Sequence, residues 1–453
     1  MMRLQLTAGV MAMTALCASA TETNDWENLA VNSRNRLPAA AFTLPLADEK
    51  AALTDALEPE TPYRKSLNGN WKISWAGRPQ DRVADFWKAD FDDSAWETID
   101  VPSCVELRGF GAPGYTNVRY PHLQKWPQIL DRDTGKPDYN PVSSYRTTFT
   151  VPEGWKDREV ILRFDGVYSA YYVWVNGQMV GYAEDSKLPS EFNITTYLKE
   201  AGENLLAVEV YRWCDGSYVE DQDMFRFSGI FRDVSIWARP RAGIADVCVK
   251  TQLDDRYENA MVTLSLTTHG EGLAVATAEI YDAAFRKVAA FEPFDVAGDT
   301  MSSVAQLPNV RLWSAEDPYL YTLVVRAGDD IRSLRFGAKE QRIVGDIFYV
   351  NGKPIKFKGV NRHECDAENG RTVSLEGMMK DIEMFKRYNI DTVRTCHYPD
   401  HHLWYDLCDR YGIYVVAEAS VEGHEPGYGD QSLGRFPQFD HTIVERNERN
   451  VIF

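Results

Sequence analysis

Five of the chain's eight histidines fall between positions 363 and 424: His363, His397, His401, His402 and His424. Three of them follow β-rich runs, in Asn361-Arg362-His363-Glu364, Cys396-His397-Tyr398-Pro399 and Glu422-Gly423-His424-Glu425. Imidazoles and carboxylates together suit proton transfer, hydrogen bonding to a polar substrate, or a metal ion. Any one of these histidines is as readily a loop-orienting group as a catalytic one, but the set of three points to function. Glu422 and His424 are separated by one residue, which puts an oxygen and a nitrogen ligand on one side of an extended segment, as several divalent ions accept. No HExxH and no cysteine-rich zinc pattern accompanies them. A second acidic group lies far upstream, with Asp215, Glu220, Asp221 and Asp223 inside nine positions and Trp213, Phe225 and Phe227 around them. It reads either as a solvated loop or as a polyol site, where carboxylates accept hydroxyl hydrogen bonds and rings cover C–H faces.

Different kinds of element must position the two groups. From Trp71 to Trp237 the chain is short strands and turns, with Asn176-Gly177 between Tyr171-Tyr172-Val173-Trp174-Val175 and Gln178-Met179-Val180-Gly181-Tyr182. Both turn residues tolerate positive φ, so a type I′ hairpin is expected, and the whole stretch reads as an all-β sandwich over 21–240. After the break at Arg239-Pro240-Arg241-Ala242-Gly243, the alternating runs 261–267 and 319–325 suggest a smaller sandwich of immunoglobulin size over 241–341. The pattern changes again near Gly345. Leu375, Met378, Met379, Ile382, Phe385 and Tyr388 fall at helical spacing, followed by a strand at 391–395, a helix at 402–411 and a strand at 413–417. That alternation implies a parallel sheet, and residues just past its strand ends form the active-site mouth of a β/α barrel. A barrel needs about 250 residues, and 342–453 is under half of that. The run Asn450-Val451-Ile452-Phe453 reads as the start of a further strand, so the third domain is expected to be incomplete.

Net charge is −18, from 49 Lys and Arg against 67 Asp and Glu. Phosphate backbones and anionic lipid would repel such a chain, so nucleic acid and membrane surfaces are poor partners. The 12 Trp, 23 Tyr and 20 Phe fit sandwich cores or sugar-facing surfaces. Arg3, the apolar stretch 4–16 and Ala18-Ser19-Ala20 form an export signal over residues 1–20, which places the mature protein in the periplasm or outside the cell. The six cysteines beyond it lack any paired framework and are expected as isolated thiols, although one bridge is not excluded by spacing.

Taken in order, these stretches resemble glycoside hydrolase family 2, and within it the large bacterial β-galactosidases. The resemblance runs through Trp26-Glu27-Asn28, 91–96, 115–121, 215–233, 312–316, 359–364 and His397-Tyr398-Pro399. It implies a multidomain fold: a jelly-roll sugar-binding domain, an immunoglobulin-like β-sandwich and an incomplete (β/α)8 catalytic barrel. It implies that Asn117 and Asp223 hold galactose hydroxyls and that Asp223 stands near a Na+ site. By the same resemblance His363 and His397 stabilise the sugar in the transition state, and Glu422 and His424 are ligands to Mg2+. Members of the family retain configuration with two glutamates about 5 Å apart. The resemblance puts both beyond Phe453, the acid/base in an Asn-Glu pair after a strand like the one starting at Val451. That acid/base is also a magnesium ligand, so the metal set here is incomplete. Glu418 and Glu422 as a replacement pair conflict with the metal role of Glu422. Ser103-Cys104-Val105 departs from the family's Ser-Asn-Trp, which touches the outer substrate subsite. The expected activity is hydrolysis of terminal β-linked galactose from a β-galactoside oligosaccharide or glycan, with homo-oligomerisation of the full-length enzyme. The other reading is a non-catalytic carbohydrate-binding fragment.

Overall fold

The computed structural model of the protein describes residues 24–296 and 300–453. The expected export signal, residues 1–20, lies outside them. Strand Asn204–Tyr211 is buried along its whole length and sits centrally in a seven-stranded antiparallel sheet. The order across that sheet is Ser33–Arg34, Gln178–Ala183, Ala170–Val175, Asn204–Tyr211, Val142–Phe149, Gly69–Ala76 and Glu97–Val101. A four-stranded sheet covers it, in the order Ser190–Asn193, Arg158–Phe164, Val234–Pro240 and Arg64–Ser66. Trp71, Tyr145, Leu162, Val173, Phe192, Val208 and Ile236 fill the space between the sheets. The expected hairpin forms at Asn176 (φ 51°) and Gly177 (φ 82°), both left-handed, with Gln178 paired to Val175.

The next sandwich packs Gly243–Leu253, Ala260–His269 and Met301–Leu307 against a sheet built on Val275–Tyr281, Tyr321–Ala327 and Asp330–Phe336. Val262, Leu264, Ile280, Leu323 and Val325, each fully buried, form its core. Strand Ala260–His269 alternates buried and half-exposed residues, the signature of a sheet with one covered face.

Three parallel strands then appear: Gly359–Arg362, Thr392–Thr395 and Tyr414–Val416. Helix Leu375–Arg387 begins at Ser374, whose side chain accepts from Gly377 N–H, and buries Met378, Ile382 and Phe385 on one face. Helix His402–Tyr411 begins at His401 and stops at Gly412 (φ 71°). Its Trp404, Leu407 and Cys408 pack against the first helix and Val393. Here the structure departs from expectation at one point: residues 451–452 close the helix Asp440–Ile452 and start no strand. The side chains this helix buries are Thr442, Arg446 and Arg449, so its inner face carries no apolar period.

All six described cysteines are free thiols. Among the described residues no helix is long and apolar enough to cross a membrane.

Candidate functional site

The parallel register sets Arg362 beside Thr395, so the chain leaves both strands at the same sheet edge. His363 and His397 emerge there with ring centroids 5.5 Å apart and planes at 81°. His363 Nδ1 lies 3.1 Å from the Tyr398 hydroxyl. Burial pushes that phenol up to about 12, so it stays protonated. Partial burial, then His397 and Arg371, pull His363 below its ordinary pKa. His397 Nδ1 stands 3.2 Å from Arg394 Nη2, 3.1 Å from Glu418 Oε2 and 3.7 Å from Glu422 Oε2. Burial raises Glu422 above the usual carboxylate range; Glu418 adds to this, and His397 and His424 oppose it.

Glu422 and His424 are not at the end of the third strand, as the sequence suggested, but on the loop beyond it. That loop is held by the first sandwich. Glu422 N–H donates to Val219 O (2.7 Å) and Asp221 N–H to Glu422 O (2.9 Å), which makes a parallel bridge between Glu220 and Glu422. Glu425 accepts from Tyr120 N–H and pairs with Arg132, fixing the same loop from its other side. Glu422 Oε1 faces His424 Nε2 at 3.2 Å. His424 Nδ1 lies 3.1 Å from the Asn117 carbonyl, which can only accept, so Nδ1 carries a proton. The other ring nitrogen, Nε2, is thereby left on the side of Glu422.

The acidic stretch 215–223 is no solvated loop. Asp215, Glu220 and Asp221 are almost wholly buried. Glu220 accepts from Ser186 and is paired with Arg446, while Asp221 pairs with Arg226 at 2.6 Å. Burial raises Asp221 to about 6 and Asp215 to about 7. Asp223 alone of the four opens outward. It accepts from the Tyr115 hydroxyl and lines a cavity of about 310 Å³ with His363, Tyr398, Arg371, Phe225 and Phe227. A carboxylate from the sandwich and an imidazole from the barrel thus share one wall. Asn117 is exposed at this edge, where its carbonyl contacts His424 and its side chain accepts from Val118 N–H.

Other groups lie elsewhere. Glu364 is buried and paired with Arg232, away from its neighbour His363. His401 caps a helix, and His402 faces Glu58 at 3.2 Å. Ser103, Cys104 and Val105 are buried behind the cavity, with Cys104 Sγ accepting from Arg371 N–H. A larger cavity of about 610 Å³, beside Phe42, His402 and Ile413, does not include His363, His397 or Glu422. Sequence reasoning had not singled out Tyr115, Arg371 or Tyr398 as site residues. Only Tyr398 carried a signal, its adjacency to His397.

Residues 64–240 match the sugar binding domain of glycosyl hydrolases family 2, 242–337 match the domain described as glycosyl hydrolases family 2, and 342–451 match its TIM barrel domain. A beta-galactosidase of Priestia megaterium (strain DSM 319 / IMG 1521) is 39% identical over 434 residues, covering 91% of this chain and 42% of that protein. One from Halalkalibacterium halodurans is 41% identical over 379 residues, covering 81% of this chain and 37% of that protein. The chain therefore spans about two-fifths of the length of these relatives. Among solved structures, Ruminococcus gnavus beta-glucuronidase in complex with uronic isofagomine superposes with TM-score 0.71 at 22% identity, over 87% of this chain and 65% of that one. Bifidobacterium dentium beta-glucuronidase complexed with coumarin-3-O-glucuronide gives 0.68 at 22%, over 86% and 74%. At such identity these two bear on the fold alone. Two successive sandwiches and the opening of a parallel barrel, each matched in turn by a domain of the same family, make this chain a member of glycosyl hydrolases family 2.

Proposed function

We propose that the chain is the recognition part of a retaining β-galactosidase that cleaves terminal non-reducing β-D-galactose by double displacement. One observation carries this reading: Asp223 of the sandwich and His363 of the barrel line a single ring-walled cavity, with His397, Glu422 and His424 on the adjoining edge. Few polar groups on an otherwise apolar wall is the pattern of a sugar site. The name shared by the curated relatives supports galactose over glucuronate as the sugar.

In this reading Asp223 and Asn117 accept from galactose hydroxyls. His363 and His397 hydrogen-bond the sugar as charge develops on it, in positions fixed before it binds. Glu422 and His424 would hold Mg2+, together with groups from outside this sequence. The ion would supply a fixed positive charge beside the reacting carboxylates. Na+ is assigned to Asp223, which keeps one oxygen free of Tyr115. The two catalytic glutamates come from residues outside this sequence. Glu418 is engaged by Arg394 and His397 and does not replace them. Export of the enzyme rests on residues 1–20, and homo-oligomerisation on the resemblance alone.

Residues 21–453 should show no turnover of an aryl β-galactoside, and clear turnover would overturn the placement of the catalytic pair. Saturation-transfer NMR should favour galactose over glucuronate. Equal response to the two sugars would overturn the galactose assignment.

A further inference from the structure

Asp165 follows strand Arg158–Phe164 of the first sandwich and is 1% exposed. Its Oδ1 accepts from Arg163 Nε at 2.6 Å, while Oδ2 has no hydrogen-bond partner among the described residues. Across the joint, His401 and His402 open the helix His402–Tyr411, with ring centroids 4.3 Å apart. His402 Nε2 faces Glu58 Oε1 at 3.2 Å, so Nε2 carries the proton and donates. Its Nδ1 is then a bare lone pair, buried and without a partner among the described residues. His401, 9% exposed, accepts from Leu403 N–H only at 3.3 Å, a long bond that a stronger ligand can replace. One ligand atom from each of the three residues lies within 4.8 Å of the other two. Two buried acceptors left unpaired in one cluster cost desolvation that a bound cation would offset.

Two imidazoles and one carboxylate are a ligand set that suits zinc and its neighbours in the first transition row. Tetrahedral zinc, with bonds of about 2.1 Å, spaces its ligand atoms about 3.4 Å apart, so side-chain rotation of about an ångström closes the cluster. Glu58, behind His402, stands where the outer partner of a metal-bound imidazole stands, fixing its tautomer and the plane of its ring. The charges fit as well. Arg163 serves both Asp165 and Glu191, and Arg64 serves Glu58, so carboxylates outnumber guanidinium groups there by three to two. Arg232, the next cation along, is matched by Glu364. We propose that Asp165, His401 and His402 form a site for a divalent transition-metal ion of the zinc type, which joins the first sandwich to the second helix of the barrel segment. None of the three lines the cavity shared by Asp223 and His363, so the site stands apart from the sugar reading.

The test is zinc binding to the tag-free, metal-stripped chain, measured against a chromophoric chelator in the His424→Asn background, which removes the pair at Glu422 as a competing site. One zinc should bind, and His402→Gln and Asp165→Asn should each weaken it at least about 10-fold. Glu58→Gln, which touches no ion, should also weaken it about 10-fold, through the His402 ring. Zinc should raise the melting temperature of the background protein and leave that of His402→Gln unmoved. Asp165→Asn also removes the charge opposite Arg163, so where it fails to fold, His402→Gln, with a side chain 15% exposed, decides. No zinc bound, or zinc bound equally by His402→Gln, overturns the site. An anomalous-difference map at the zinc edge that puts the ion away from Asp165 overturns it too.

Discussion

His122 is buried with neither ring nitrogen hydrogen-bonded, stacked 5.4 Å from Tyr120 and edge-on to Tyr218 at 4.5 Å. Burial pulls its pKa down to about 3 from 6.5, so the ring is neutral in the fold. Between those values the unfolded chain binds a proton that the folded chain refuses. Stability therefore falls as pH drops through that window, by up to about 1.4 kcal/mol per pH unit from this residue. His122→Phe keeps the stacking and removes the titration, so its urea midpoint should change less between pH 6.5 and pH 4 than the parent's. Equal acid sensitivity would show that His122 is not held neutral. At this scale the sequence named the groups that carry its own motifs, His363, His397, Asp223, Glu422 and His424. It could not name Tyr115 as the partner of Asp223, because 108 residues separate them and only the pairing of Gly114–Thr116 with Met224–Arg226 brings them together.

The helix Asp440–Ile452 docks through charge. Arg446 reaches Glu184, Asp185 and Glu220, Arg449 lies 3.0 Å from Asp185, and Thr442 donates to Asn32. Arg446→Met would leave the buried Glu184 and Glu220 without their cation, Asp185 keeping Arg449, at a cost of about 3–5 kcal/mol. Because Glu220 belongs to the loop that presents Asp223, amide exchange should accelerate across residues 215–224 in that variant. Exchange unchanged there would mean that the helix does not brace the loop. The same packing explains why this element was misread. Its apolar residues Val451 and Ile452 face outward at the end and its inner face is charged, so the periodicity that marks a core-facing helix is missing. The helices Leu375–Arg387 and His402–Tyr411 bury apolar residues at regular spacing, and their extents were legible for that reason.

Across the whole molecule, the order of sandwich, smaller sandwich and parallel sheet was readable from the changing pattern of strands and helices. How the parts join was not, since each joint depends on distant residues. Trp313 is an example: its indole donates to the Asp409 carbonyl at 2.7 Å and stands edge-on to Tyr414, while its own carbonyl accepts from Asn351. Trp313→Ala should cost about 3–5 kcal/mol and separate the immunoglobulin-like domain from the barrel strands, so that the two unfold in calorimetric transitions further apart than in the parent. A thermogram unchanged from the parent's would contradict that role.

The bridge between Glu220 and Glu422 bears on how such a protein can be inherited or rebuilt. The carbonyl that orients His424 and the backbone partner of Glu422 both belong to the sandwich. A barrel transplanted from a relative would therefore arrive without the frame that sets Glu422 and His424, and a transplanted sandwich would lose the backbone bridge that Glu422 makes to Val219 and Asp221. The sandwich and the barrel segment here are not interchangeable cassettes. An exchange between relatives keeps this joint intact only if residues 215–223 and 422–425 travel together.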